Sequence, residues 1–210
     1  KDAVHRMSIL AWQEFADSLP SIPVRWLQAV RRAPGRLAVA DSAGIRLTGA
    51  ELALCALRLA RVLAARPEPA VGILLPPGAM GAVANMAVLM AGKTVVNLDP
   101  GLGEEELRGC LRQAGAGLVL GEEGARALDG VDGMDCADFV DARKAMGRER
   151  PARLLLRLLP GGLVRLALPG RAAGSDTAAV VFVERGGDRV GVQLRHANII
   201  PNGRQVSSLF

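Results

Sequence analysis

The chain is poor in lysine, aromatic residues, cysteine and histidine. These shortages argue against a nucleic-acid-binding surface and against a metal site. Only three of its 26 basic residues are lysine, and aromatic residues make up 3% of the 210 residues. The arginines are scattered among acids, so the sequence shows no clustered basic face. It also has too few aromatic residues for the stacking platforms that bind single-stranded nucleic acid. The net charge of +5 is therefore not interpreted as a nucleic-acid surface.

The cysteines and histidines are too few and too widely spaced for a metal site. The three cysteines, Cys55, Cys110 and Cys136, form no CxxC pair, and their pattern fits a reduced, cytoplasmic setting. The two histidines are His5 and His196, and neither is followed by the acid of an HxxxxD acyltransferase signature. No GxSxG nucleophile elbow occurs. We therefore assign no catalytic and no metal-binding residues, and we expect His196 to be a helix-start residue satisfied by a local hydrogen bond.

One uncharged run, residues 71–92, is long enough to cross a bilayer. The sequence Pro76-Pro77-Gly78 interrupts it near its start, which favours a buried strand (70–75), a turn and a buried helix (79–90). The first fifteen residues carry charges throughout their apolar part, unlike a signal peptide.

Apolar strands alternate with helices along the first half of the chain. A helix is predicted over 23–33, a hairpin over 36–48, and a helix that begins at Thr48 with Glu51 in a capping-box arrangement. A strand (93–100), an amphipathic helix (103–115) and another strand (116–123) follow. This alternation predicts a three-layer α/β fold with a mostly parallel sheet covered by helices on both faces.

Residues 153–168 interleave leucines with arginines and are broken at Pro160-Gly161-Gly162. One interpretation is a linker helix that packs its leucines on its neighbours. The alternative is a basic amphipathic segment at a membrane surface. Buried leucines in the folded protein would favour the first interpretation.

A glycine-rich stretch, FVERGGDRVGV (182–192), follows an apolar strand and precedes a helical run. Residues 177–183 are predicted to be the strand, 184–191 a loop and 192–194 a short strand. Backbone amides in glycine-rich turns often cradle phosphate. This stretch contains no hydroxyl residue and no lysine, so the sequence alone leaves open whether it is a phosphate loop or only a tight turn.

Three stretches, in order, resemble the adenylate-forming ligases, which activate carboxylic acids with ATP. Residues 35–63 resemble the opening hairpin and the LTYxEL helix of that family, residues 71–100 its VGLLLPN…AGxxVVPLNP segment, and residues 176–205 its FTSGSxGxPKGVxLSHxN segment. The resemblance covers nearly all of residues 22–210. It implies the N-terminal part of an adenylate-forming domain, with ATP, AMP and Mg²⁺ as its ligands.

The leucine-rich stretch is most similar to the acyl-ACP synthetase branch, including proteins fused to a lysophospholipid acyltransferase, such as the 2-acylglycerophosphoethanolamine acyltransferase type. This similarity implies fatty acid activation and transfer to CoA or acyl carrier protein, in the cytoplasm or at the inner face of a membrane. The alternative is a non-catalytic, degenerate domain that binds an acyl group or a protein partner, or that scaffolds a fused enzyme.

The resemblance also assigns the glycine-rich stretch position by position. Val183 and Glu184 stand at the usual Thr and Ser, and Val190 at the usual Lys. A carboxylate at position 184 repels a triphosphate, whereas arginines bind phosphate well. Three alternatives follow: a degenerate loop, a working variant and a coincidental turn. The candidate phosphate-binding residues are Arg185, Gly186, Gly187, Arg189 and Gly191.

Four regions are expected: an N-terminal arm (1–21), a first α/β subdomain (22–150), a leucine- and arginine-rich linker (151–174) and the truncated start of a phosphate-loop subdomain (175–210). Family members are much longer than 210 residues. The resemblance therefore implies that this chain alone does not catalyse adenylation.

Overall fold

The computed structural model describes residues 11–121, 131–135, 158 and 160–207. The helices are α1 (11–18), α2 (Ile22–Arg32), α3 (Gly49–Ala64), α4 (Ala79–Met90), α5 (Glu104–Ala114) and α6 (His196–Ser207), with a 3-10 helix at Gly161–Ala167. The strands are β1 (Leu37–Ala40), β2 (Arg46–Thr48), β3 (Ala70–Leu74), β4 (Thr94–Asn97), β5 (Ala116–Gly121), β6 (Asp132–Asp135), β7 (Thr177–Arg185) and β8 (Asp188–Arg195).

The described part of the chain is built on one six-stranded sheet with the order β6-β5-β3-β4-β7-β8. The first five of these strands are parallel, and only β8 runs antiparallel, beside β7. Strands β1 and β2 form a separate antiparallel hairpin. The predicted α/β fold with a mostly parallel sheet is confirmed.

Helices cover both faces of the sheet, as the alternation of strands and helices predicts. On one face, α3 and α4 pack over Ile73, Val95 and Leu120. On the other, α5 packs over Val96 and Val119. Burying each such side chain contributes about 1.5–3 kcal/mol to folding, so this two-sided core holds the sheet between its helices.

Local sequence signals set the helix ends near the sheet. The Thr48 backbone N–H donates to Glu51 Oε2 over 2.6 Å, and the Glu51 N–H donates to Thr48 Oγ1 over 3.4 Å, which completes the predicted capping box of α3. Helix α5 ends at Gly115, whose φ of 66° is left-handed. Glycine adopts this conformation without steric cost, so the helix stops where the sequence predicts it.

The long uncharged run folds as predicted, as strand β3 followed by helix α4. Among the described residues no helix combines the length and apolar character that a membrane span needs.

The leucine- and arginine-rich segment is only partly described. Residues 153–157 and 159 lie outside the described residues, and so does Cys136. Within the expected linker helix, Gly161–Ala167 forms a 3-10 helix. Val164 is buried in the core, whereas Leu158 and Leu166 are 69% and 70% exposed. The linker and membrane-surface interpretations of these leucines both stay predictions.

Candidate functional site

The candidate site is the carboxyl edge of the sheet, where β3, β4 and β7 end side by side. In open α/β sheets, ligands bind outside the carboxyl ends of the strands. Within the described ranges, three connections reach this edge: the turn 75–78 into α4, the segment 98–103 into α5, and the turn between β7 and β8.

The glycine-rich stretch is a β-hairpin, and the predicted loop over 184–191 is wrong. Strand β7 continues to Arg185 and β8 begins at Asp188, with Glu184 opposite Arg189. Gly186 and Gly187 have φ values of 63° and 91°. Positive φ at both central residues is what two-residue type I′ hairpin turns require, so these glycines have a conformational role in the turn.

The sequence contains the signal for this hairpin. Gly-Gly is flanked by β-branched and alternating residues, a pattern typical of two strands joined by a two-residue turn. The ladder spreads the flanking amides along two strands, where successive groups point in opposite directions. Amides arranged in this way do not converge on one phosphate.

One face of the hairpin is docked on α5. Gln113 Nε2 donates to the Arg189 carbonyl over 3.2 Å, and the Gly191 N–H donates to Gln113 Oε1. A Cβ at Gly191 would lie 2.9 Å from Gln113 Oε1 and 3.1 Å from Val180 Cγ1. Gly191 is thus explained by this close approach of β8 to α5.

The two arginines of the hairpin have different surroundings. Arg189 Nε lies 3.5 Å from Glu106 Oε1 on α5, and its cross-strand neighbour is Glu184. Arg185 is exposed at the end of β7 opposite Asp188, and the structure records no ion pair for it within the described residues. The charges of Glu184 and Asp188 balance those of Arg185 and Arg189. The tip of the hairpin therefore has no net positive charge that would attract a phosphate.

The turn between β3 and α4 is closed by a carboxylate from the β1–β2 hairpin. Asp41 Oδ2 accepts the Ala79 N–H over 3.1 Å, and Asp41 Oδ1 accepts the Ile45 N–H over 2.9 Å. A Cβ at Gly78 would lie 3.3 Å from Asp41 Oδ2. The anion that favours the positive end of α4 is therefore the protein's own carboxylate. Nothing in the local sequence around Asp41 indicates this contact.

Polar side chains at the end of β4 bind neighbouring polar groups on α4 and in the following segment. Asn85 and Asn97 exchange side-chain hydrogen bonds of 3.2 and 3.1 Å. Asp99 Oδ1 accepts the Gly101 N–H over 2.9 Å, so this carboxylate has a structural role in the segment that follows β4. No group of three or more possible metal-ligating side chains occurs among the described residues.

Neither His196 nor Lys93 belongs to the carboxyl edge. Lys93, before β4, donates from Nζ to the carbonyls of Arg66 and Glu68 over 2.8 and 2.5 Å, and burial lowers its pKa. His196, after β8, lies at the opposite edge, and its Nδ1 accepts the N–H of Ile22, 174 residues away. The expected local hydrogen bond of His196 is wrong: its side chain bonds to a distant segment.

The sequence model of the family described as AMP-binding enzyme matches residues 26–157. This range exceeds half of the chain, and the chain belongs to that family. The matched range ends before β7, so it does not include the hairpin.

The curated relatives include peptide synthetases. A plipastatin synthase polypeptide of Bacillus subtilis is 42% identical over 97 residues, which are 45% of this chain and 4% of that protein. Phosphinothricin tripeptide synthetase PhsC of Streptomyces viridochromogenes is 42% identical over 95 residues, 44% of this chain and 9% of that protein. The expected closeness to the acyl-ACP synthetase branch is therefore not supported.

Solved structures agree on the fold. A nonribosomal peptide synthetase, FmoA3, bound to alpha-methyl-L-serine-AMP, matches with a TM-score of 0.67 and 26% identity over 90% of this chain and 20% of that chain. The O-succinylbenzoate coenzyme A synthetase of Bacillus subtilis matches with a TM-score of 0.64 and 20% identity over 87% of this chain and 45% of that chain. This chain thus spans less than half the length of these relatives.

Proposed function

We propose that the protein activates a carboxylic acid with ATP, forming an acyl-adenylate and releasing pyrophosphate. The observation that carries this proposal is the similarity of 90% of the chain to a synthetase bound to an aminoacyl-adenylate. Membership of the AMP-binding enzyme family supports it. Mg²⁺ would accompany ATP, and a thiol of CoA or of a carrier protein would accept the acyl group.

The relatives favour an amino acid as the substrate. The curated relatives described above are peptide synthetases, and the FmoA3 structure holds an amino acid joined to AMP. A fatty acid, the substrate class expected from the sequence alone, is the second candidate and is included in the test below.

In this arrangement the β7–β8 hairpin offers few groups to a triphosphate, so the proposed use of ATP depends mainly on groups outside the hairpin. Arg189 is held by Glu106, Gly191 is packed on α5, and two acids balance the charge of the tip. Gly186 and Gly187 are accounted for by the turn. Of the five candidate residues, Arg185 is the one that could still contact a phosphate.

The direct test is ATP–pyrophosphate exchange by the protein expressed from its complete gene. The panel of acids contains amino acids and fatty acids, each assayed with and without Mg²⁺. Exchange that depends on one acid class supports the proposal and names the substrate class. No exchange with any acid, from protein shown to be folded by circular dichroism, contradicts it.

A second function is a non-catalytic domain that binds an acyl group or a protein partner. The electrically balanced hairpin tip favours it, because a phosphate-binding site normally presents cations or converging amides. The matched variant is Val183→Thr/Glu184→Ser/Val190→Lys. If the domain has only lost its loop chemistry, this variant gains ATP binding that the natural chain lacks. If exchange already occurs, Arg185→Ala lowers it more than Arg189→Ala does.

Location stays a proposal as well. We place the protein in the cytoplasm, and contact with a membrane surface would use the segment that includes the exposed Leu158 and Leu166. Sedimentation with anionic lipid vesicles tests this contact, and Leu158→Ser/Leu166→Ser is the control variant. Binding that survives this double substitution would contradict the assignment.

A further inference from the structure

Three segments that are distant in sequence meet at the amino edge of the sheet. They are residues 16–22 leading into the first residue of α2, residues 173–176 before β7, and residues 195–198 at the junction of β8 and α6. Pro20 bridges Ala173 in an isolated antiparallel pair. The Ala197 N–H donates to the Gly174 carbonyl over 2.8 Å. The end of the predicted N-terminal arm is therefore part of the fold.

The contact between the first two segments is backbone to backbone. A Cβ at Gly174 would lie 2.1 Å from the Ala16 carbonyl oxygen and 2.7 Å from that of Leu19. Both distances are far inside van der Waals contact, so only glycine fits there. Ala16 and Ser21 are 0% and 2% exposed, which leaves no space for a side chain to rearrange.

The His196 imidazole is enclosed by this junction. The residue is 1% exposed, and its backbone N–H donates to the Asp176 carbonyl over 3.1 Å. Its Nδ1 accepts the Ile22 N–H over 3.2 Å. An accepting Nδ1 carries no proton, so the ring is the neutral tautomer with its proton on Nε2. Burial lowers the pKa of His196 to about 4 against the opposing charge of Asp176, so the ring stays neutral at pH 7.

Ile22 is the first residue of α2, and the start of this helix lacks its usual local cap. Ser21 stands at the N-cap position, but its side chain makes no capping hydrogen bond. The first amides of a helix have no partner within the helix, and a buried unpaired amide costs about 1–3 kcal/mol. The imidazole of His196, from a segment distant in sequence, supplies an acceptor for the first of these amides, that of Ile22.

We propose that His196 is a positioning residue: it caps α2 through Nδ1 and thereby fixes the N-terminal segment to the junction of β8 and α6, at the base of the hairpin. This role is independent of ATP use. It differs from that of a histidine that only fills space, because it requires an acceptor atom at the Nδ1 position.

Two substitutions separate the acceptor from the volume. His196→Leu keeps a buried side chain of similar size and removes the acceptor. His196→Asn places an amide oxygen near the position of Nδ1 and can still accept from Ile22. Amide hydrogen exchange in the 210-residue chain, followed by NMR, reports on the Ile22 and Ala197 amides, and Val71 and Val119 in the central strands are the internal controls.

The expected result is local. In His196→Leu the Ile22 amide exchanges about tenfold faster or more, as loss of one buried hydrogen bond predicts, and Ala197 follows it. Val71 and Val119 keep their protection, and His196→Asn stays within about threefold of the natural chain at Ile22. Unchanged exchange at Ile22 in His196→Leu, or equal loss in both variants, would overturn the proposal.

The tautomer gives a second test that needs no substitution at the junction. In a His5→Gln background, His196 is the one histidine that remains, and the nitrogen chemical shifts of its imidazole show which nitrogen carries the proton. The proposal requires the proton on Nε2 at pH 7. A proton on Nδ1 would overturn it even if His196→Leu failed to fold.

Discussion

The two edges of the sheet are built in different ways. At the amino edge, three segments pack backbone to backbone around His196, and Lys93 is held by two carbonyl groups. At the carboxyl edge, the connections are exposed turns, each closed by one or two contacts, such as Asp41 on α4 and the glycines of the β7–β8 turn. We therefore expect the amino edge to tolerate few substitutions and the carboxyl edge to tolerate more.

This difference bears on how glycines are interpreted. Gly174 at the amino edge is required by a contact with Ala16, whereas Gly186 and Gly187 at the carboxyl edge are required only by the turn. The glycines of the candidate phosphate loop are thus explained without a ligand. Any phosphate binding at the carboxyl edge would then depend on side chains, and Arg185 is the candidate residue.

The largest effect is expected from a methyl group at the amino edge. Gly174→Ala should lower the free energy of unfolding by about 3 kcal/mol or more, because its Cβ meets backbone atoms that have no room to move. Gly109→Ala in α5 is the matched control: a Cβ there meets nothing within 4 Å. Urea unfolding compares the two, and equal stability would contradict the proposed rigidity of the amino edge.

The second-largest effect is expected from acid, which should lower the free energy of unfolding by protonating His196 at the amino edge. Because the folded pKa of His196 is about 4 and its ordinary value is 6.5, the unfolded chain binds more protons between these values. Stability therefore falls as the pH falls from 6.5 to 4, by about 3 kcal/mol for a shift of this size. Urea unfolding across this range measures it. His196→Leu lacks this contribution, so a natural chain with the same pH slope as His196→Leu would refute the expectation.

A moderate effect is expected where the carboxyl edge uses a charged cap. Asp41→Ala should cost about 1–2 kcal/mol, because α4 loses its N-terminal acceptor and the β1–β2 hairpin loses one tie to the sheet. Asp41→Asn keeps an acceptor oxygen and should lose less. Thermal unfolding ranks the three proteins, and a ranking with Asp41→Ala equal to the natural chain would argue against the cap.

The smallest effect is expected at the hairpin tip. Gly186→Asn should change the free energy of unfolding by less than about 0.5 kcal/mol, because asparagine tolerates positive φ and Asn-Gly is favoured in type I′ turns. Gly187→Val is the contrasting variant and should cost about 1–2 kcal/mol at its φ of 91°. Equal losses of unfolding free energy in Gly186→Asn and Gly187→Val would contradict the view that these glycines serve only the turn conformation.

Sequence periodicity and end signals predict most of the fold. The capping box of α3, the glycine that ends α5 and the proline break before α4 are local features, and local physics decides them. The β7–β8 hairpin is missed although its signal is local, because the glycine-rich stretch is interpreted as a loop and its alternating flanking residues are not assigned to strands. The tertiary contacts cannot be predicted: Asp41 reaches Ala79, Gln113 reaches Gly191, and His196 reaches Ile22. Each joins residues whose proximity depends on the assembled sheet.

We infer that the carboxyl edge is closed by the protein's own atoms and that the β7–β8 turn does not cradle a triphosphate. The most direct measurement is a titration of the 210-residue chain with ATP and Mg²⁺, followed by the NMR signals of the Gly186 and Gly187 amides. We expect no saturable shift of either amide at millimolar ATP. A saturable shift centred on these two glycines, lost in Gly186→Asn, would contradict it.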